Sequence, residues 1–152
     1  MNLWKNLVMT VLLIGLSVPV AFAENLCEEE LQKASIHCVS VLAEKGQQGL
    51  LELEKYKFCN GRGYVIVTDM EGLVFIDTAH PTLKGQNSLG IKDAKGEPFG
   101  LNVKKKAASG GGMLKYWWMD ATTKKLIHKP MYVTTGKLDG ILVVVAVAVG
   151  SI

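Results

Sequence analysis

"GYVIVTDMEGLVFIDTAHPTLKGQNSLGIKDAKGEPFG", residues 63–100, changes character twice within 38 residues. Its first part is β-branched and aromatic on either side of "DMEG", the pattern of two strands joined by a hairpin turn. From Thr78 onward it turns polar and glycine-punctuated, with an acid, an imidazole and amines spread along an irregular run. Loops of that length are uncommon in compact domains and often serve as binding loops or lids. Strand geometry sends alternate side chains to opposite faces, so Tyr64, Ile66 and Thr68 share one face.

Toward the amino terminus, Leu31, Ala34, Cys38, Val41 and Leu42 recur at helical spacing. An amphipathic helix is expected over residues 24–45, with Glu28, Glu29 and Glu30 in its first turns, where the helix dipole favours anions. "GQQG" breaks or kinks it, and "LLELEKYKF" forms a second short helix ended by "CNGRG". Toward the carboxyl terminus, a short helix starts near Pro98 and stops at "GGG". Three strands follow, "MLKYWWM", "LIHKPMYVTT" and "ILVVVAVAV". The last is too short for a membrane-spanning helix, and its valines suit a central strand buried on both faces. The sum is α+β: one or two helices, then five strands with a helix inserted after the second, in one antiparallel sheet.

Residues 1–23 carry one cation, Lys5, then an apolar stretch interrupted by Pro19, then "AFA". That is the layout of a cleaved secretory signal, with a cut after Ala23. It leaves one domain over residues 24–152, with no membrane span after cleavage and a periplasmic or secreted location. Removing Lys5 takes the formal charge from +3 to +2, and no dense basic face interleaves with aromatics, which argues against nucleic acid as a partner. Three cysteines is an odd count, so an oxidising compartment leaves at least one thiol free or intermolecular. Cys38 with Cys59 is the favoured pair, with buried unpaired cysteines as the alternative.

Several segments together resemble the single Cache domain, a module of periplasmic and extracellular sensor regions that also occurs free-standing. The resemblance rests on "GYVIVTDMEGLV", on "LKGQNSLGIKDAKGEPF", on "SGGGMLKYWWMD" and on "HKPMYV", and covers roughly residues 60–135. It implies a PAS-like fold, with a long N-terminal helix packed on a five-stranded antiparallel sheet and a small-molecule pocket between sheet and loop. The ligands it implies are small organic acids such as acetate, propionate, lactate or pyruvate.

Such a pocket needs aromatic walls and a few donors for the carboxylate. The candidates are Tyr64 on the first strand, Tyr116 and Trp118 on one face of "KYWWM" with Trp117 opposite, and Tyr132 on the next strand. Two positions depart from the family pattern: Asp77 stands where a histidine is common, and Gln86 replaces the lysine of a "GKN" segment. A carboxylate in place of an imidazole would repel an anionic ligand unless a cation offsets it, and His80 or Lys84 would supply one. Alternatively the pocket prefers an amine or a neutral ligand, or is degenerate, which would leave a ligand-free periplasmic interaction module. In either case a separate partner is expected, a membrane sensor or another exported protein.

Catalysis is not expected. His80 near Asp77 could be an oriented base, with Ser88 or Cys59 as nucleophile, but there is no G-x-S-x-G elbow and no cysteine in a catalytic setting. His37, His80 and His128 lack metal-ligand spacing, so neither a metal nor a cofactor is expected. "ASGGG" lacks the G-K-[ST] of a phosphate loop, and "VKKKAAS" reads as a solvated helix end.

Overall fold

The structure, a computed structural model, describes residues 20–150, with side chains from Cys27 onward. The expected signal segment falls almost wholly outside the described residues. Helix α1 (Val20–Lys45) and helix α2 (Gln47–Leu53) lead into strands β1 (Gly63–Asp69) and β2 (Val74–Asp77). Helix α3 (Phe99–Ala108) follows the long loop, and β3 (Gly112–Met119), β4 (Leu126–Leu138) and β5 (Ile141–Val149) complete the chain. The five strands form one antiparallel sheet in the order β2-β1-β5-β4-β3.

The valine-rich β5 is the central strand, hydrogen-bonded to β1 on one side and β4 on the other. From Val143 to Val149 every residue is buried. A period of two divides them between faces. Val143, Val145, Val147 and Val149 join the core under α1, whereas Val144, Ala146 and Ala148 belong to the cluster under α3. Valine on one side and mostly alanine on the other makes the two faces unequal in volume.

Helix α1 covers the valine face with Cys27, Leu31, Ala34, Cys38, Val41 and Leu42, all buried, at the i, i+3/i+4 spacing of one helical stripe. The helix already includes Val20, four residues before the expected start, so Glu28, Glu29 and Glu30 lie beyond its first turn. The Ala-rich stretch before Glu24 contains no residue that stops a helix. Glu30 instead accepts a hydrogen bond from the backbone N–H of Cys59 at 2.7 Å.

Cysteine pairing also differs from expectation. Cys27 is bonded to Cys59, with Cα atoms 5.2 Å apart, and Cys38 is free and buried. The favoured Cys38–Cys59 pair fails because Cys38 lies in the middle of the buried stripe of α1, while the turn carrying Cys59 meets the helix nearer its beginning, at Cys27 and Glu30. Burial pushes the Cys38 thiol up to about 12, so it remains a protonated, inert core group.

The other face is covered by α3 and by residues 78–98. Phe99, Val103 and Ala107, spaced four apart, form the stripe that α3 turns to the sheet. Gly100 sets how close the helix can come. A Cβ there would lie 1.8 Å from the carbonyl oxygen of Ser88, and the Gly100 N–H donates to Ile91 O at 3.1 Å. At the far edge, buried Asp93 fastens the loop to β3, accepting from Trp117 N at 3.1 Å and from Lys95 N and Glu97 N at 2.9 and 3.0 Å. Burial opposes ionisation of this carboxyl, but those three N–H groups and the Lys95 ammonium prevail and hold it below the usual carboxylate range.

Candidate functional site

A cavity of about 270 Å³ lies between the alanine face of the sheet and the α3–loop cover. It exists because Ala146, in register with Ile66 on β1, leaves volume that the neighbouring strands' side chains surround without filling. The walls come from β1 (Tyr64, Ile66, Thr68), from β3 (Tyr116, Trp118), from the loop (His80, Leu83, Leu89) and from α3 (Phe99, Val103, Lys104).

One end is polar. The Tyr64 and Tyr116 hydroxyls meet at 2.6 Å, although β5 and β4 separate their strands. They can reach each other because Tyr64 has small Ala148 as its register partner on β5. Two hydroxyls carry two protons and the bridge uses one, which leaves a second donor for an acceptor in the cavity. Burial pushes the Tyr116 hydroxyl up to about 12, the bond from Tyr64 working against this and the Asp77 charge adding to it. Tyr64 is raised still more firmly, by burial first, then by Tyr116 and Asp77. Both phenols are therefore protonated donors at neutral pH.

Asp77 ends β2 and is buried. Its Oδ1 accepts from Ala79 N at 3.0 Å and His80 N at 2.9 Å, and its Oδ2 lies 3.5 Å from His80 Nδ1. The carboxylate is thus taken up by the turn that it builds and by the imidazole behind that turn. His80 sits with ring centroids 6.5 Å from Tyr64 and 6.1 Å from Trp118, its Nδ1 toward Asp77 and its opposite nitrogen left for other partners. Lys129 is also buried beside the tyrosines, its Nζ 5.4 Å from the Tyr64 ring centroid, and burial lowers its pKa while the nearby Asp120 charge opposes the shift.

Of the residues named from the sequence, Tyr64, Asp77, His80, Tyr116 and Trp118 converge on this cavity. Trp117 does lie opposite, stacked on His128 at 4.4 Å. Tyr132 does not converge: it packs against the cluster under α1. The register puts Lys129 across from Tyr116, so Lys129, Met131 and Val133 share the cavity face and Tyr132 falls on the other. Lys84 and Gln86 also lie outside. Lys84 is exposed and pairs with Glu54 at 3.6 Å, and the Gln86 side-chain amide donates to Thr82 O at 2.8 Å while the Gln86 backbone carbonyl accepts from Val74 N. This stretch runs along the free edge of β2 and closes it, which turns its side chains to solvent.

Sequence reasoning missed Phe99, Val103 and Lys104, although the four-residue spacing of Phe99, Val103 and Ala107 was a readable signal. Lys129 needed the strand register. Among the described residues, no group of three or more His, Cys, Asp and Glu is placed to hold a metal, and no helix is long and apolar enough to cross a membrane.

The fold is shared with solved structures, three of which illustrate the likeness. One titled as a Cache chemosensory domain, on carboxylic acid recognition, is 20% identical, with a TM-score of 0.68 over 84% of this chain and 95% of that one. A methyl-accepting chemotaxis protein from Vibrio parahaemolyticus is 19% identical, with a TM-score of 0.66 over 82% and 89%. The periplasmic sensor domain of a chemotaxis protein is 21% identical, with a TM-score of 0.61 over 87% and 94%. No curated protein matches the chain. Residues 31–150, which take in α1 from Leu31 onward, the whole sheet and every wall of the cavity, match the Single Cache domain 2 family, and the chain belongs to it.

Proposed function

We infer that this chain is an exported sensor-type domain that binds a small organic acid in the α3-side cavity and acts with a separate partner, a membrane sensor or another exported protein. The observation that carries this reading is the polar end of an otherwise apolar cavity: a bridged tyrosine pair with one donor to spare, beside an imidazole backed by a buried carboxylate. The tyrosine bridge offers a donor to the cavity, and the His80 imidazole beside it is a group able to carry a compensating positive charge, a combination that suits a carboxylate. Asp77, already engaged by two N–H groups and His80, is a poor counter-ion for an amine. The likeness to a domain titled for carboxylic acid recognition supports the same ligand class. Export is supported by the Cys27–Cys59 disulfide, since such bonds persist in oxidising compartments, together with the signal-like residues 1–23.

The test is calorimetric titration of the protein and its His80→Ala variant with propanoate, propylamine and propanol. Propanoate binding that weakens at least about tenfold in the variant, roughly 1.4 kcal/mol, is expected. Preferential binding of propylamine would instead make Asp77 the specificity residue. Silence toward all three would favour the ligand-free interaction module, for which the placement of Lys84 and Gln86 outside the cavity speaks.

A further inference from the structure

We propose that the cavity prefers monocarboxylic acids with an apolar tail of about four to eight carbons over the two- and three-carbon acids, which bind more weakly in the same place. This rests on the carboxylate reading above and concerns what fills the remainder of the same cavity.

The first argument is volume. At ~30 Å³ of liquid per water, 270 Å³ is room for about nine water-sized groups. Acetate, with two carbons and two oxygens, would leave more than half of it empty or wet. A wet remainder is unfavourable because few polar groups face it. Of the other polar lining residues, Thr68 Oγ1 donates to Asp69 O at 2.9 Å and Ser88 Oγ to Gly72 O at 2.9 Å. Asp69 Oδ1 accepts from Glu71 N and Leu73 N at 3.0 and 2.7 Å. The two hydroxyl protons and Asp69 Oδ1 are already engaged in backbone turns, leaving fewer partners for ordered water, which needs two to four.

The second argument is the lining. Ile66, Val74, Leu89, Phe99, Val103 and Trp118 present hydrocarbon to the cavity, and the polar groups that could hold a carboxylate gather at the Tyr64–Tyr116 bridge and the neighbouring His80. One polar end and one apolar body match an amphiphile with a single charged head. Lys104 lines the wall through a half-buried side chain, and its stem can extend the apolar surface while the ammonium reaches water.

The experiment is calorimetric titration of the protein with acetate, butanoate, hexanoate and phenylacetate, with adipate as the two-headed counterpart of hexanoate. Affinity is expected to rise roughly fourfold per added methylene, at ~0.8 kcal/mol per buried CH₂, and so by about 250-fold over the four methylenes from acetate to hexanoate. Val103→Phe, which fills the cavity from α3, is expected to remove most of that gain, so that hexanoate binds little better than acetate. Leu89→Phe does the same from the loop should the helix variant fail to fold. A maximum at acetate overturns the proposal and leaves the carboxylate reading intact. Adipate binding more tightly than hexanoate also overturns it and makes Lys104 a second anchor. No binding by any acid removes both.

Discussion

The two faces of the sheet are built from the same strands to opposite ends. Under α1, Val143, Val145 and Val147 meet Leu31, Cys38 and Leu42 with almost no exposure, and the face is filled. Under α3, Val144, Ala146 and Ala148 meet a shorter helix and an irregular loop, and the face keeps a cavity. One residue of alternation along β5 thus separates the part of the molecule that stabilises the fold from the part available to a ligand. The lesson is that a run such as "ILVVVAVAV" has to be read as two interleaved sequences, one large and one small.

That contrast can be broken in three ways, in falling order of effect. Leu42→Ala empties the filled face and is expected to cost about 2–5 kcal/mol in urea unfolding. A loss under ~1 kcal/mol would mean that α1 packs loosely. Alkaline pH acts on the other face. The folded hydroxyl of Tyr116 sits near 12, above the value of about 10 for an unfolded tyrosine, so its contribution is complete below pH ~10 and lost as pH rises toward 12. The loss is roughly 2–3 kcal/mol, read as a falling unfolding midpoint alongside late phenolate absorbance. Ionisation of Tyr64 and Tyr116 at pH ~10 without unfolding would mean that they are not buried as a pair. The smallest effect is the most discriminating. Val145→Ile and Ala146→Val each enlarge adjacent residues of β5, but the first overfills a packed face at about 1–3 kcal/mol. The second enters the cavity and is expected to change stability by under ~1 kcal/mol. Equal costs in thermal melts would erase the distinction between the faces.

Much of the fold was legible because it rests on local periodicity. The stripe Leu31, Ala34, Cys38, Leu42, the hairpin at "DMEG" and the valine run each declare their element without reference to the rest of the chain. Half of the site was legible for the same reason, since Tyr64 and Ile66, like Tyr116 and Trp118, are related within a strand. What sequence could not give is register between strands and contact across the chain. Tyr132 was misplaced because its face depends on which residue of β4 opposes Tyr116. The disulfide was misassigned because it depends on where along α1 the turn at Cys59 docks. Lys84 and Gln86 were misplaced because their stretch closes the β2 edge through backbone bonds to Val74, which no side-chain pattern announces.

The most direct measurement compares one hydroxyl on each face. Tyr116→Phe and Tyr132→Phe each delete a single oxygen, and hexanoate affinity is measured by calorimetry for both variants and for the unaltered protein. Removing the Tyr116 hydroxyl should weaken binding at least about tenfold, the ~1.5–3 kcal/mol scale of a hydrogen bond to a charged group, while removing that of Tyr132 should leave affinity within about twofold. Equal losses in the two variants, or a loss confined to Tyr132→Phe, would contradict a ligand seated under α3.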